Sequence, residues 1–385
     1  MACESYFSER VSGEFAGWRQ SHATLLGGNG YGEATDERAD VGEIKIVSKP
    51  LFTIVLPVRN GGSQLKDCVN SVLAQTLGNF ELAVLENCSS DGSREWLDEV
   101  RDPRVRVYAA SEPLSMRDNW ARSVGVPKNE FVTFMGHDDM LDPNYLETMR
   151  ALIAANPGAG LYHAHFRFID DAGQTMRSCR PMPAHETAAQ FCKAFLQFER
   201  DANGTGYVVR SSEFDRVGGF PPFHNMLYAD HALWLKLVGD SFVVTAPEEC
   251  FSYRLHAAST SASAQWRDHL KAIEEFIPFM KQAGPWGTEV TKVLDGYAPG
   301  YFLTLCKNWY SNALVVATKH NRRVEPGVVA EFVAALRPIA PNEAAQFRNL
   351  KSVRVYELIN SNPITRRAYN LYILLRYGKG ELPSG

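Results

Sequence analysis

From Leu51 onward, short apolar runs alternate with amphipathic stretches, and that alternation leaves few folds open to the chain. Residues 51–58, 80–85, 105–108 and 131–135 read as strands. Residues 63–77, 93–100, 117–124 and 143–155 read as the helices that follow them. In the first of these helices Leu65, Cys68, Val69, Val72 and Leu73 recur at helical spacing, with Ser63 expected as its N-cap. Strand–helix alternation implies right-handed βαβ units, hence an α/β fold with a mostly parallel central sheet. After residues 161–168 the pattern is mixed. Asp170-Asp171-Ala172-Gly173 reads as a hairpin turn, 228–238 as an amphipathic helix, and 242–244 and 250–255 as strands. From Gln265 the pattern is helical to the end. The expected organisation is a polar, Gly-rich extension over 1–49, an α/β domain over 50–264 and a helical C-terminal region over 265–385.

Composition narrows the class. The chain has 385 residues, 45% hydrophobic and 22% charged, which is ordinary for a soluble globular protein. A net charge of −4 gives no footprint for nucleic acid, so no nucleic-acid partner is expected. Seven cysteines are scattered without a CxxC pair, which points to a reducing compartment and to neither a disulfide framework nor a zinc site. The start, Met-Ala-Cys-Glu-Ser-Tyr, lacks the marks of a signal peptide. No apolar run is long enough to span a bilayer; Lys307 interrupts the best candidate, 303–316. The expectation is a cytoplasmic protein that at most touches a membrane surface.

Chemistry concentrates at Gly136-His137-Asp138-Asp139-Met140, directly after the fourth apolar run. Ligands of open α/β sheets bind beyond the carboxyl ends of the strands. Two carboxylates there suit a divalent cation with a diphosphate on its far side. The alternative is a solvated turn that caps the next helix, as Asp142-Pro143 suggests.

Four stretches occur in order: Thr53–Asn60, Ala83–Ser93, Phe134–Asp139, and Val217-Gly218-Gly219-Phe220 followed by Ala229–Leu235. Together they resemble the family 2 glycosyltransferases, which have a GT-A fold and transfer a sugar from a nucleotide diphosphate. The resemblance covers residues 50–263. It implies that Pro57, Arg59 and Asn60 line the nucleotide base site and that Glu86 stands where the family has an Asp on uracil or ribose. It implies that Asp138 and Asp139 match the end of the family's DxD-type motif, for ribose and metal, and that Asp230 matches the catalytic base. His256 matches a metal-completing His of some relatives. Gly218 and Gly219 are read as a turn that approaches the acceptor, and Asn119 as a side chain able to reach the nucleotide or donor sugar. Gly136 departs from the first acid of DxD, and Ala229 from an acid that often precedes the base.

The expected activity is that of an inverting hexosyl- or N-acetylhexosaminyltransferase. It would use Mn²⁺ or Mg²⁺ and a UDP-sugar, and act on a glycan or lipid-linked glycan of a bacterial surface polysaccharide or lipopolysaccharide. Oxygen plus imidazole ligands favour Mn²⁺. Other readings stay open at individual residues. Asp230 could instead cap its helix, His256 could be structural, Asn119 could belong to a solvated face, and either Asp138 or Asp139 could be the direct metal ligand. His163 and His165 alternate on one strand face, as cleft-lining or structural residues. Trp120 and Trp234 are expected in the core. Two rival functions are a nucleotidyltransferase, which would want a basic Gly-rich phosphate loop after the first strand, and a non-catalytic sugar-nucleotide-binding scaffold. In the tail, Ile364, Ala368, Leu371, Tyr372 and Leu375 fall on one helical stripe among Arg366, Arg367, Arg376 and Lys379. That stripe suits an in-plane membrane helix, packing against the catalytic domain, or contact with a second subunit in a homo-oligomer.

Overall fold

The computed structural model describes residues 49–377, apart from 240, 257–258, 260–262 and 283–286. Residues 1–48, nearly all of the expected extension, and Lys379 lie outside the described residues. A ten-stranded sheet organises the chain. In chain order its strands are β1 (Phe52–Val58), β2 (Phe80–Glu86), β3 (Val105–Ala109), β4 (Phe131–Phe134) and β5 (Met140–Leu141). There follow β6 (Leu161–Ile169), β7 (Thr175–Ser178), β8 (His185–Thr187), β9 (Val208–Arg210) and β10 (Phe242–Arg254). Their spatial order is β3-β2-β1-β4-β9-β6-β10-β5, with β7 on β6 and β8 on β10.

The first half of the sheet is parallel, as the alternation implies: β1 runs parallel to both β2 and β4, and β2 to β3. The second half is mixed. β9 pairs antiparallel with β4 and β6, while β6 and β10 are parallel. β5, β8 and β9 are only two or three residues long, too short to show a period of their own.

Every residue of β1 is buried, because helices cover both faces. Phe52, Ile54, Leu56 and Val58 pack with Leu65, Cys68, Val69 and Val72 of the helix Gly62–Leu73. Val55 points the other way, into a core shared with the C-terminal helices. That second core runs from Ala83, Leu85 and Val132 through Trp234 to Phe276, Trp309 and Phe332. The change at residue 264 is therefore a change of element type, with the apolar core continuous across it.

Three local expectations are corrected. The helix Gly62–Leu73 is capped at Gly61, not Ser63. The helix Tyr145–Ala155 is capped at Asn144, and Asp142 pairs with Arg167 instead. The two strands expected at 242–244 and 250–255 are one 13-residue strand. Register shifts between Ala246 and Ser252 leave the Pro247–Glu249 stretch exposed, so its polar sequence mimics a loop.

Gly206 has φ +86°, and a Cβ there would lie 2.3 Å from the Phe251 ring, which stacks on Phe166. Gly206→Ala should lower stability by about 2–5 kcal/mol, from left-handed backbone strain plus overpacking. Urea denaturation checks this; an unchanged midpoint would contradict the close approach.

Candidate active site

The loops after β1 and β4 open on one cavity of about 800 Å³. The end of β1 contributes Pro57, the loop after it Arg59 and Asn60, and the loop after β4 Gly136 to Asp139. Asn87, Asn119, Gly204, Thr205, residues 225–231 and His256 complete much of the wall.

The loop after β1 is tied to the loop after β2. The Asn60 N–H donates to Ser89 Oγ, the Gly61 N–H to Ser93 Oγ and the Gly62 N–H to Asp91 Oδ2, at 2.9–3.0 Å. Asn60 Oδ1 accepts from the Ser90 N–H. These backbone donors are thus satisfied by side chains. Asn87 is held by both backbone groups of Leu114, whose carbonyl also accepts from Arg59. Asn119 donates to the Leu85 carbonyl at 3.2 Å and accepts from Arg122.

Glu86 is placed differently from expectation. It is buried and does not line the cavity. One oxygen accepts the Ser89 N–H at 2.6 Å and the other pairs with Arg94 at 3.2 Å. Its extra methylene is used to close its own loop, and Asn87, the next residue, takes the position on the wall.

The adjacent carboxylates face different surroundings. Asp139 is buried; Oδ1 accepts the Arg254 N–H at 2.9 Å and Oδ2 the Thr205 hydroxyl. Burial, then the charge of Asp138, pushes its carboxyl well above the usual range. Asp138 Oδ2 meets His256 Nε2 at 2.7 Å. Burial acts to raise the Asp138 carboxyl, but the His256 hydrogen bond and the nearby charges of His137 and His256 outweigh it, and the group sits below its ordinary value. The Asp138 hydrogen bond, against partial burial, raises His256. Gly136 explains its departure from an acid: a Cβ there would lie 2.5 Å from Asp138 Oδ1. The folded-back carboxylate fills that space.

Arg254, at the end of β10, fixes this arrangement. Its Nε donates to the Asp138 carbonyl at 2.8 Å, and a terminal nitrogen donates to the Asp170 and Asp171 carbonyls at 2.9 Å. His256 follows two residues later.

Asp230 lines the cavity as the second residue of the helix Ala229–Val238. Its N-cap is Tyr228, at φ +62° and without a side-chain cap bond, so Asp230 is not the cap. Asp230 Oδ1 accepts the His231 N–H at 2.9 Å, and its side chain is 16% exposed. A Cβ on Gly204 would make only ordinary contact with it, 3.7 Å from Oδ2.

Gly218 and Gly219 do not line the cavity. Both have positive φ, and a Cβ on Gly219 would lie 2.6 Å from Val124. They form a tight turn in which Gly219 packs against Val124 and Phe214, while Gly218 has open space around it. His163 is buried and stacked on Tyr207, with burial pushing its imidazole well below the usual range. His165 bonds the Ala246 carbonyl and the Met182 N–H. Both are structural. Trp234 is core, donating to the Asn203 carbonyl at 3.0 Å, whereas Trp120 lines the cavity and packs edge-on against Phe220.

Sequence reasoning missed the far wall. His269 and Trp309, from the helices Trp266–Gln282 and Thr288–Lys319, line the cavity with Tyr228. Tyr228 Oη accepts from Trp309 Nε1 at 2.8 Å and bonds His269 Nδ1 at 3.0 Å. Asn225, Met226 and Tyr228 all have positive φ, a cluster of strain of the kind found at ligand sites. His231, buried beside Asp230, has both ring nitrogens without a hydrogen-bond partner, its Nε2 lying 3.9 Å from Asp230 Oδ1. Aromatic residues of an amphipathic helix read as core, so nothing local marked the far wall.

Arg254→Met should cost about 3–5 kcal/mol, because buried carbonyls lose a charged donor. Chemical denaturation measures this, and Arg254→Lys should recover only part. A loss below about 1 kcal/mol would contradict the stitching role.

Residues 53–209 match the family model described as Glycosyl transferase family 2. An uncharacterized glycosyltransferase of Rickettsia prowazekii is 23% identical over 276 residues, covering 67% of this chain and 85% of that protein. Glycosyltransferase GlyG of Streptococcus pneumoniae is 32% identical over 101 residues, 26% of this chain and 34% of its own. Among solved structures, S. aureus TarS 1-349 in complex with UDP superposes with a TM-score of 0.58 at 12% identity, covering 80% of this chain and 90% of that one. The same protein in complex with UDP-GlcNAc gives 0.56 at 14% identity, covering 80% and 91%. At such identities the likeness speaks to the fold, which is the GT-A glycosyltransferase fold with a helical C-terminal region.

Proposed function

From the match of residues 53–209 to the family 2 model, we propose that the chain is a family 2 glycosyltransferase that moves a sugar from a uridine diphosphate donor to a hydroxyl of a glycan acceptor, inverting the anomeric carbon. The observation that carries this reading is the meeting of Asp138, His256 and Asp230 in one cavity beyond the strand ends. The TarS complexes with UDP and UDP-GlcNAc support uridine and a hexosyl or N-acetylhexosaminyl donor. That support replaces Glu86, whose carboxylate is committed elsewhere.

Asp138 and His256 fit a divalent cation, Mn²⁺ or Mg²⁺, as a two-ligand site. Among the described residues no group of three or more His, Cys, Asp or Glu gathers as a cage. Donor phosphates and water would therefore complete the shell, as is usual for such cations on phosphate substrates. A bound cation neutralises the charge gathering on the departing diphosphate. Asp139 takes a positioning role, holding Thr205 and the Arg254 backbone.

Asp230 acts as the base. One carboxylate oxygen takes the acceptor hydroxyl proton as that oxygen attacks the anomeric carbon from the face opposite the diphosphate. A single displacement inverts that carbon. Pro57, Arg59, Asn60, Asn87 and Asn119 form the nucleotide end of the cavity, and the aromatic wall of Tyr228, His269 and Trp309 forms the acceptor end. A nucleotidyltransferase is less well supported, because the N–H groups of residues 60–62 are already bonded to side chains and not open to phosphate. We place the reaction in the cytoplasm, in surface glycan assembly.

Asp230→Asn tests the reading. It preserves size and removes basicity, so transfer should fall about 10²–10⁴-fold. UDP affinity and melting temperature should hold. Normal transfer would remove Asp230 from catalysis, and loss of UDP binding would assign it to the donor.

Nucleotide choice is tested separately by thermal shift with UDP, GDP, CMP and ADP at equal concentration and with Mn²⁺. UDP should protect most, since a ligand that binds only the folded state stabilises it by mass action. Equal or greater protection by GDP would overturn the uridine assignment.

A further inference from the structure

The last helix, Pro363–Tyr377, packs one side onto the protein and leaves an apolar stripe in solvent. Arg366 and Ile373 are buried, the arginine donating to the Asn360 carbonyl at 2.6 Å. On the opposite side Ile364 is 75% exposed, Leu371 56% and Leu375 78%. Spacings of seven and four residues put these three on one line along the helix. The preceding helix, Lys351–Ser361, packs against it. Its own solvent side carries Val355 and Leu358, 51% and 65% exposed, following the exposed Lys351 and Arg354. Among the described residues nothing packs over these large aliphatic side chains, and clustered exposure of this kind marks an interaction surface.

Charge selects the occupant. Residues 348–377 hold six basic residues and one acidic residue, in a chain of net charge −4. Arg367 stands exposed beside Leu371 on the last helix. A two-fold contact between copies would bring these like charges together. An anionic lipid surface matches both features, taking the aliphatic stripe into the headgroup boundary while the exposed Lys351, Arg354 and Arg367 meet lipid phosphates. Among the described residues no helix is long and apolar enough to cross a membrane. We propose that the last two helices dock this chain, in the plane of the interface, on an anionic bilayer.

The test uses the full chain in flotation with phosphatidylcholine vesicles, with and without phosphatidylglycerol, alongside Leu371→Glu/Leu375→Glu and Arg367→Glu variants. These side chains are exposed, so melting temperature should not change. The proposal expects wild type to float with the anionic vesicles, the double variant to lose about tenfold or more of that binding, and Arg367→Glu to lose part. Should the double variant unfold, Leu358→Glu on the neighbouring helix gives the same reading. No binding by wild type, or equal binding by wild type and variants, would overturn the proposal. So would a wild-type dimer in light scattering that the double variant splits without any vesicle binding, which would assign the stripe to a second copy. The outcome is independent of the glycosyltransferase reading, since no step concerns the cavity.

Discussion

The hydrogen bonds of Arg254 hold together parts of the chain that the chemistry needs side by side. Its backbone N–H reaches the carboxylate of Asp139, 115 residues earlier in the sequence. Its guanidinium satisfies the carbonyls of Asp138, Asp170 and Asp171. A guanidinium has five donors in a fixed fork and no acceptor, so it suits a place where several carbonyls converge. The end of β10 is thereby fixed to the loop after β4. His256 meets Asp138 because it lies two residues beyond that fixed point.

Two neighbouring carboxylates would repel each other if both faced the cavity equally charged. The fold separates their roles. Asp139 is buried against Thr205 and the Arg254 backbone, where the charge cost is highest and its carboxyl is pushed up. Asp138 keeps its charge against His256. The acidic pair thus divides into one residue that holds the loop and one that pairs with His256 on the cavity wall. Gly136 leaves the room that the Asp138 carboxylate occupies.

The parallel half of the sheet was legible because its strands are buried on both faces and its helices keep a clear period. β1 shows both signals, with seven buried residues and the alternation of Ile54 and Leu56 against Val55. β5, β8 and β9 were not legible, since two or three residues carry no pattern and their pairing is decided by distant strands. In the site, Asp138, His256 and Asp230 do reach one cavity, and the order of the motifs foretold that. Glu86 failed because a sequence gives the residue and not the neighbour it will close upon; Ser89 and Arg94 take both oxygens. Gly218 and Gly219 lie off the cavity for a similar reason: both serve a positive-φ turn, and the small size of Gly219 permits its approach to Val124 and Phe214. His269 and Trp309 were invisible because their place on the wall depends on how helices beyond residue 264 pack onto the sheet.

The division of labour between Asp138 and Asp139 is the centre of this account, and calorimetry reaches it directly. UDP is titrated into wild type, Asp138→Asn and Asp139→Asn, each with Mn²⁺ and with EDTA. The account predicts that Mn²⁺ strengthens UDP binding to wild type and to a folded Asp139→Asn, whose side chain can still accept the Arg254 N–H. It predicts that Asp138→Asn binds UDP with nearly the same affinity in either condition. A Mn²⁺ effect that survives in Asp138→Asn and vanishes in a fully folded Asp139→Asn would contradict it.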